Sequence, residues 1–332
     1  MLNPALYLNP DIFDENPEKA ALRDGYGAGL LEAGAENSDV VALSADLTES
    51  TRAEAFAAKY PERFFQVGVA EQNMVGVAAG LGLSGKIPFI SSYAVFSPGR
   101  NWEQIRTTIC YNDSNVKIAG HHAGVSTGPD GATHQATEDI ALMRVMPNMK
   151  VFVPCDAIEA RKATAAVAKI WGPAYLRFAR NATPIMTTEK TPFVPGKAEI
   201  FWQPANGKKP EVVIIGCGPL VYNCLLAAKN LEKQKINVLV INCHSLKPLD
   251  NRTIISAAKK CGAVVTVEEH QIMGGLGSVV AEMLSEEYPT PIEFVGMRDT
   301  FGESGKGEEL IKKYGMAPNH IEKAVEKVLK KK

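Results

Sequence analysis

The sequence holds no C-x-x-C pair, no apolar run approaching the roughly 18 residues of a bilayer span, no surplus of either charge and no basic-then-apolar leader. Each absence excludes a class. Cys110, Cys155, Cys217, Cys224, Cys243 and Cys261 are scattered, so neither a disulfide framework nor a zinc ribbon is expected, and the thiols read as reduced, mostly buried small hydrophobes. The 36 Lys and Arg balance 37 Asp and Glu to a net charge of −1. That leaves no field for nucleic acid or an anionic membrane, and neither is expected as a partner. Only the closing "KVLKKK" is locally basic, which suits the C-terminal end of a helix dipole. Without a leader or a membrane span, a cytoplasmic location is expected.

What is present is ordinary globular composition. The chain has 332 residues, 45% hydrophobic and 22% charged, enough for roughly two domains of about 150 residues each. Short β-rich runs alternate with helical patterns: "DVVALSA" near 39–45, "RFFQVGV" at 63–69, "IPFISSYAVF" at 87–96, "NVKIAGHHAG" at 115–124 and "MKVFVPC" at 149–155. This alternation predicts a doubly wound α/β sheet whose parallel strands are buried on both faces. Residues 184–209, rich in Pro, Gly and polar side chains, read as a linker between a domain at 1–183 and a smaller α/β domain at 210–332. The second domain opens with the strand "EVVIIGCG", continues through a helix, the strand "INVLVINC" and a helix near 251–260, and reaches the strand "GAVVTVEE".

Several stretches carry candidate chemistry. Gly216-x-Gly218 follows a strand as a dinucleotide fingerprint would, but Val221 stands at the third glycine position, so a tight turn is the plainer reading. "GGLGS", Gly274 to Ser278, either holds an anion at a helix N-terminus or lets two backbones pack closely. "HHAGVSTGPDGATHQATED", 121–139, follows a predicted strand, where doubly wound sheets bind ligands; it carries His121, His122, Asp130 and His134. Those histidines lack metal-ligand spacing, so no metal is assigned to them. Arg23, Arg100, Arg177, Arg180 and Ser50 would recognise phosphate or carboxylate if they converge.

In "GVAEQNMVGVAAGLGLSGK", 68–86, one carboxylate, Glu71, opens an apolar, Gly-rich helix that reads as buried. Two readings stand. An acid in a first turn offsets the positive end of the helix dipole. An acid with apolar flanks at a strand-to-helix junction also suits proton transfer.

Taken in order, "SADLTEST", "VGVAEQNM", "SYAVFSPGR", "AGVSTGPDGATHQATEDIALMRVMPNM", "PAYLRFAR", "LKPLD", "VTVEEHQIMGGLGS" and "GMRDTFGESG" closely resemble the C-terminal half of transketolase, from about residue 20 to about 325. The resemblance implies a pyrimidine-binding doubly wound parallel-sheet domain followed by a smaller α/β C-terminal domain. The family's diphosphate- and metal-binding domain carries a G-D-G, and none occurs here. The chain begins with Met1 and so reads as the separate C-terminal subunit of a split transketolase. An N-terminal, diphosphate-binding partner chain is then expected to hold Mg²⁺ (or Ca²⁺) and to share thiamine diphosphate, in an α₂β₂ assembly.

The resemblance also implies roles. Glu71 matches the glutamate that hydrogen-bonds N1′ of the aminopyrimidine, while Tyr93 and Phe96 match aromatic positions packing that ring. Asp46 matches a residue near the cofactor and the subunit interface. His122, Asp130 and His134 match positions that contact sugar hydroxyls, and the two histidines count with Glu71 as catalytic. Arg23, Ser50 and Arg180 match positions that hold the sugar phosphate. Gly99 stands where some transketolases place a further aromatic. The implied activity is ketol transfer from a ketose phosphate such as xylulose 5-phosphate to an aldose phosphate such as ribose 5-phosphate, as in the pentose phosphate pathway. A 1-deoxyxylulose-5-phosphate synthase-type subunit, a 2-oxo-acid dehydrogenase β-type subunit and a non-catalytic paralogue are the rival readings.

Overall fold

The apolar runs lying between helical segments form the strands of two large sheets, and two short strands, at 19–21 and 182–184, pair separately as an antiparallel ribbon. In the computed structural model, which describes residues 1–332 with the exception of the Asn206 side chain, the strands follow as β1 Lys19–Ala21, β2 Val40–Ser44, β3 Phe64–Gln66, β4 Ile87–Tyr93, β5 Lys117–His121, β6 Lys150–Phe152, β7 Ala174–Arg177, β8 Ala182–Pro184, β9 Glu199–Trp202, β10 Val212–Gly216, β11 Val238–Asn242, β12 Ser245–Lys247, β13 Val264–Gln271 and β14 Ile292–Met297. The first sheet runs β12-β6-β7-β5-β4-β2-β3 and is parallel except at β12. Every residue of β2, β5 and β7 is buried, as a sheet covered by helices on both faces requires. The fold class expected from the sequence is the fold observed.

Two helices, Leu22–Glu36 and Ala157–Val167, cover one face over Phe89, Phe152 and Leu176. They approach so closely that a Cβ on Gly25 would lie 2.0 Å from the Ala157 carbonyl oxygen, and one on Gly29 2.5 Å from that of Arg161. Any larger residue would push the pair apart. On the other face lies the helix Glu71–Leu83, with Met74, Val75 and Ala78 buried. This helix is not buried all round as its composition suggested. Val77 and Leu83 are exposed and nothing lies near Gly76 or Gly80, because among the described residues no other element covers that side.

The second sheet runs β14-β13-β10-β11-β9, parallel apart from β9. The connecting segment 184–209 supplies β9, whose Phe201 and Trp202 are buried; the flanking prolines and glycines mask this short strand in the sequence. The domains are laced together. Strand β12 leaves the second domain to pair with β6, the chain start lies on the second sheet through Asn3 N–H to the Phe201 carbonyl at 2.9 Å, and one apolar core runs from Ile118 and Val151 to Val213 and Ile241. All six cysteines are buried and unpaired. Among the described residues no helix is long and apolar enough to cross a membrane.

Candidate functional site

The first sheet's parallel strands end at one edge, and the candidate residues lie along it. Asp46 follows β2, Glu71 follows β3, Tyr93 ends β4, His122 follows β5 and Arg180 follows β7. This is where doubly wound sheets bind ligands, because the crossover loops diverge there.

Glu71 is the first residue of its helix and 4% exposed. Its two carboxylate oxygens lie 3.2 and 3.3 Å from Nη1 of Arg100, which lies over the Phe96 ring at 4.1 Å. The buried acid therefore has a cationic partner as well as a helix N-terminus. Asn101 donates to the Glu71 carbonyl and to Ser97 Oγ, both at 3.1 Å, which ties the 97–101 turn to the helix start. Within that turn a Cβ on Gly99 would lie 1.9 Å from the Val95 carbonyl, so the turn itself leaves no room for an aromatic there. Arg100 and Asn101 were missed as partners of Glu71, although their place in "SYAVFSPGRN" was a usable signal.

From Arg100 an aromatic ledge continues. Phe96 and Tyr93 lie 5.9 Å apart in near-parallel planes, Tyr93 stacks on His122 at 4.0 Å, and His134 meets Phe96 edge-on at 5.4 Å. His122 is 2% exposed and has φ +54°, a left-handed conformation that costs a bulky residue of order 1 kcal/mol and clusters at functional sites. Burial first, then Arg23 and Arg180, lower its pKa to about 3. The imidazole is neutral at physiological pH and offers one donor and one acceptor. Arg23 donates to the Ser50 carbonyl at 3.1 Å and Arg180 to the Thr127 carbonyl at 3.0 Å. Neither guanidinium has a carboxylate within 4.0 Å among the described residues, and Arg23 Nε is buried without a partner.

Eight of the predicted residues thus form one chain of neighbours: Glu71, Phe96, Tyr93, His134, His122, Arg23, Ser50 and Arg180. Two stand apart. Asp130 is exposed at the end of the short helix Val125–Asp130. Asp46 is exposed with φ +61°, and its N–H donates to Gln66 Oε1, which also accepts the Gly68 N–H.

Other candidates fall outside the cleft. His121 is fully buried between Tyr26 and Phe178, and burial holds its pKa far below the usual histidine range. Arg177 is buried against Asp139 at 2.8 Å, with Tyr175 donating to the same carboxylate at 2.6 Å. Its charge is spent inside the fold. Gly218 packs on Val153 and donates to its carbonyl, so Gly216-x-Gly218 is a turn fitted to the first domain. The amides of Leu276 and Gly277 donate to Glu268 at 2.7 and 2.8 Å; the chain's own carboxylate fills that helix N-terminus.

A second buried cluster sits between the domains and uses none of the loop histidines. Glu159, Glu199 and His244 bring donor atoms within 4.8 Å of one another, but they already serve the fold. Glu159 accepts from the Cys155 N–H at 2.6 Å and from Asn242 at 2.8 Å, and His244 Nε2 lies 3.0 Å from Glu199. Burial pushes the Glu159 carboxyl up to about 7. For His244 burial acts downward, but Glu159 and Glu199 outweigh it and raise the pKa. Both groups hold protons more tightly folded than unfolded, so the stability they contribute is complete in acid and lost as pH rises through these raised values. Glu159→Gln should therefore gain Tm relative to wild type between about pH 5 and about pH 8. A Tm difference in thermal scans that stays constant over that range would refute this linkage.

The sequence model described as "Transketolase, pyrimidine binding domain" matches residues 18–186, and "Transketolase, C-terminal domain" matches 204–321. A transketolase C-terminal section from Methanocaldococcus jannaschii is 42% identical over 313 residues, 93% of this chain and 96% of that one. A 6-deoxy-6-sulfo-D-fructose transketolase subunit from Clostridium sp. (strain MSTE9) is 38% identical over 320 residues, 96% of this chain and 98% of that one. Among solved structures, a split-gene transketolase described as an inactive β4 tetramer matches with a TM-score of 0.86 at 47% identity, covering 93% of this chain and 98% of its own. The chain belongs to the transketolase family, whose chemistry depends on thiamine diphosphate, and within it to the split, C-terminal-section kind.

Proposed function

We propose that this chain supplies the aminopyrimidine half of a two-chain transketolase, which moves a two-carbon ketol unit from a ketose phosphate such as xylulose 5-phosphate to an aldose phosphate such as ribose 5-phosphate. One observation carries the reading: a single aromatic ledge has a buried carboxylate, Glu71, at one end and two guanidinium groups without carboxylate partners, Arg23 and Arg180, at the other. A half-buried pair of rings beside an acid fits a flat heteroaromatic base. Unpaired guanidinium groups fit an anionic sugar end. The clostridial relative is named for a sulfonated sugar, also an anion.

Bound thiamine diphosphate supplies the carbanion chemistry that a two-carbon transfer needs. The protein's share is binding, orientation and proton placement. Glu71 would accept a hydrogen bond from the aminopyrimidine ring, and Tyr93 and Phe96 would pack against it and exclude water. Neutral His122, with His134 and Asp130, reads the sugar hydroxyls. Arg23, Arg180 and the Ser50 loop grip the phosphate, and Asp46 lies toward the cofactor and the interface. With no G-D-G in this sequence, the diphosphate and its Mg²⁺ (or Ca²⁺) fall to a partner subunit.

The uncovered apolar face supports that partner. Val69, Val77 and Leu83 are 69%, 38% and 66% exposed, on and just before the helix that begins at Glu71, and an exposed apolar patch beside a functional group marks an interaction surface. An α₂β₂ assembly with sites between chains is the arrangement proposed. The test combines this chain with a candidate chain carrying the G-D-G domain, then titrates thiamine diphosphate and Mg²⁺ and assays ketol transfer. Turnover and metal-dependent binding are expected only from the pair. Tight, metal-dependent binding by this chain alone would overturn the half-site reading, and pyruvate decarboxylation by the pair would replace the substrate.

A further inference from the structure

The loop at 122–136, which carries His122, Asp130 and His134, is held from both domains: Ala123 N–H donates to the Phe178 carbonyl at 3.1 Å and Asn181 to the Ser126 carbonyl at 2.7 Å within the first, and Glu269 and Glu303 hold it from the second. Glu269, in the buried run of β13 just before His270, is 3% exposed and accepts the Ser126 N–H at 2.6 Å. Gly124, at φ +89°, fits directly against it: a Cβ there would lie 2.3 Å from Glu269 Oε1. Arg177 donates to the carbonyls of both Glu269, at 2.8 Å, and Ala136, at 3.3 Å. Gln135 donates to the Val125 and Gly128 carbonyls at 3.2 Å and crosses to the Glu303 carbonyl at 2.8 Å.

The residues that receive these tethers also face the cleft. Ser126 gives its N–H to Glu269, while its neighbour Thr127 gives its carbonyl to Arg180 and its hydroxyl to the His122 carbonyl at 2.6 Å. A displacement at Ser126 is therefore passed to Arg180 and His122 within one residue. The joint is not filled solid. A cavity of about 320 Å³ lies beside it, lined in part by Ser126, Asn181, Glu269 and Gly307, while a Cβ on Gly307 would lie 2.9 Å from the Ser126 carbonyl oxygen, so discrete hydrogen bonds and close backbone packing together fix the loop there.

We infer that Glu269 is a positioning residue: from the second domain it sets the Ser126–Thr127 peptide, and through it Arg180 and His122, for binding the anionic sugar. This gives the C-terminal domain a task in substrate recognition without contact with substrate. The kinetic consequence rests on the transketolase reading above; the structural one does not.

Glu269→Gln keeps the volume and replaces a carboxylate acceptor with a weaker amide one. In the full chain alone, hydrogen–deuterium exchange over residues 122–136 should rise about tenfold while the second domain's strands stay protected, the loss of a charge-assisted bond being felt locally. In the reconstituted enzyme, KM for a phosphorylated ketose should rise about tenfold with kcat within about twofold, since only binding geometry changes. Unchanged loop exchange overturns the inference, and so does exchange that rises equally across both domains, which marks a merely structural group. Should Glu269→Gln fail to fold, Gln135→Ala removes the other tether and is judged by the same exchange readout. If the pair shows no ketol transfer at all, the function proposed above fails, while the exchange result still decides the role of Glu269.

Discussion

Replacing Glu71 by Gln lowers kcat of the reconstituted pair about a thousandfold, within the range that positioned proton-transfer groups contribute, and leaves assembly of the pair intact. The argument rests on what the substitution removes. Gln has nearly the volume of Glu and still accepts a hydrogen bond, but it cannot carry the negative charge that favours a protonated ring nitrogen. The fold loses little. Arg100, the group left without its partner, has a side chain 50% exposed, so water takes over its solvation, and the lost helix-dipole contribution is about 0.3–1 kcal/mol. A Tm within a few degrees of wild type is the expected control, because about 1 kcal/mol moves the Tm of a domain this size by roughly 2–4 °C. Stopped-flow or steady-state assays of ketol transfer, run beside size-exclusion of the pair, separate the outcomes. Full activity in Glu71→Gln would make the acid a dipole partner only and would revive the non-catalytic paralogue.

How much of this was legible beforehand depends on the kind of information each feature needs. Strands β2, β10 and β11 are nearly continuous apolar runs and β4, β5 and β13 carry apolar stretches, as a parallel sheet covered on both faces demands, so composition exposed them. Strands β1, β7, β8, β9, β12 and β14 escaped, and β9 and β12 show the reason. Each is short, lies near prolines or polar residues, and earns its place through pairing with a distant segment that no local pattern encodes. At the site the residue types were legible and their convergence was not. Arg177 and Arg180 are three residues apart, yet one is closed into an ion pair with Asp139 and the other looks onto His122. The difference lies in their distant partners, Asp139 for Arg177 at 2.8 Å and the Thr127 carbonyl for Arg180 at 3.0 Å. Glu268 and Glu269 make the same point: adjacent acids, one capping a helix in its own domain and one reaching across to Ser126.

Arg180→Ala should raise KM for a phosphorylated ketose about a hundredfold, because a charge-assisted hydrogen bond is worth about 1.5–3 kcal/mol and each 1.4 kcal/mol is a factor of ten. An unphosphorylated ketose should be turned over with KM within about twofold of wild type, since it never used the guanidinium. Arg180→Lys should recover only part of the loss, the planar fork being what matches phosphate oxygens. Fold damage is not the cause expected. Arg180 is only half-buried, and its one side-chain hydrogen bond among the described residues is to the Thr127 carbonyl, which Thr127's neighbour Ser126 keeps in place through Glu269 and Asn181. A second readout needs no substrate and no partner. Arg180 is one of the cations that, after burial, hold the His122 pKa down at about 3, so removing it should move that pKa upward in an NMR titration of the isolated chain. The two measurements answer different questions. An unmoved His122 would show that Arg180 does not face the site, whereas a moved His122 with an unchanged KM would place the sugar's anionic end elsewhere, leaving Arg23 as the group to test.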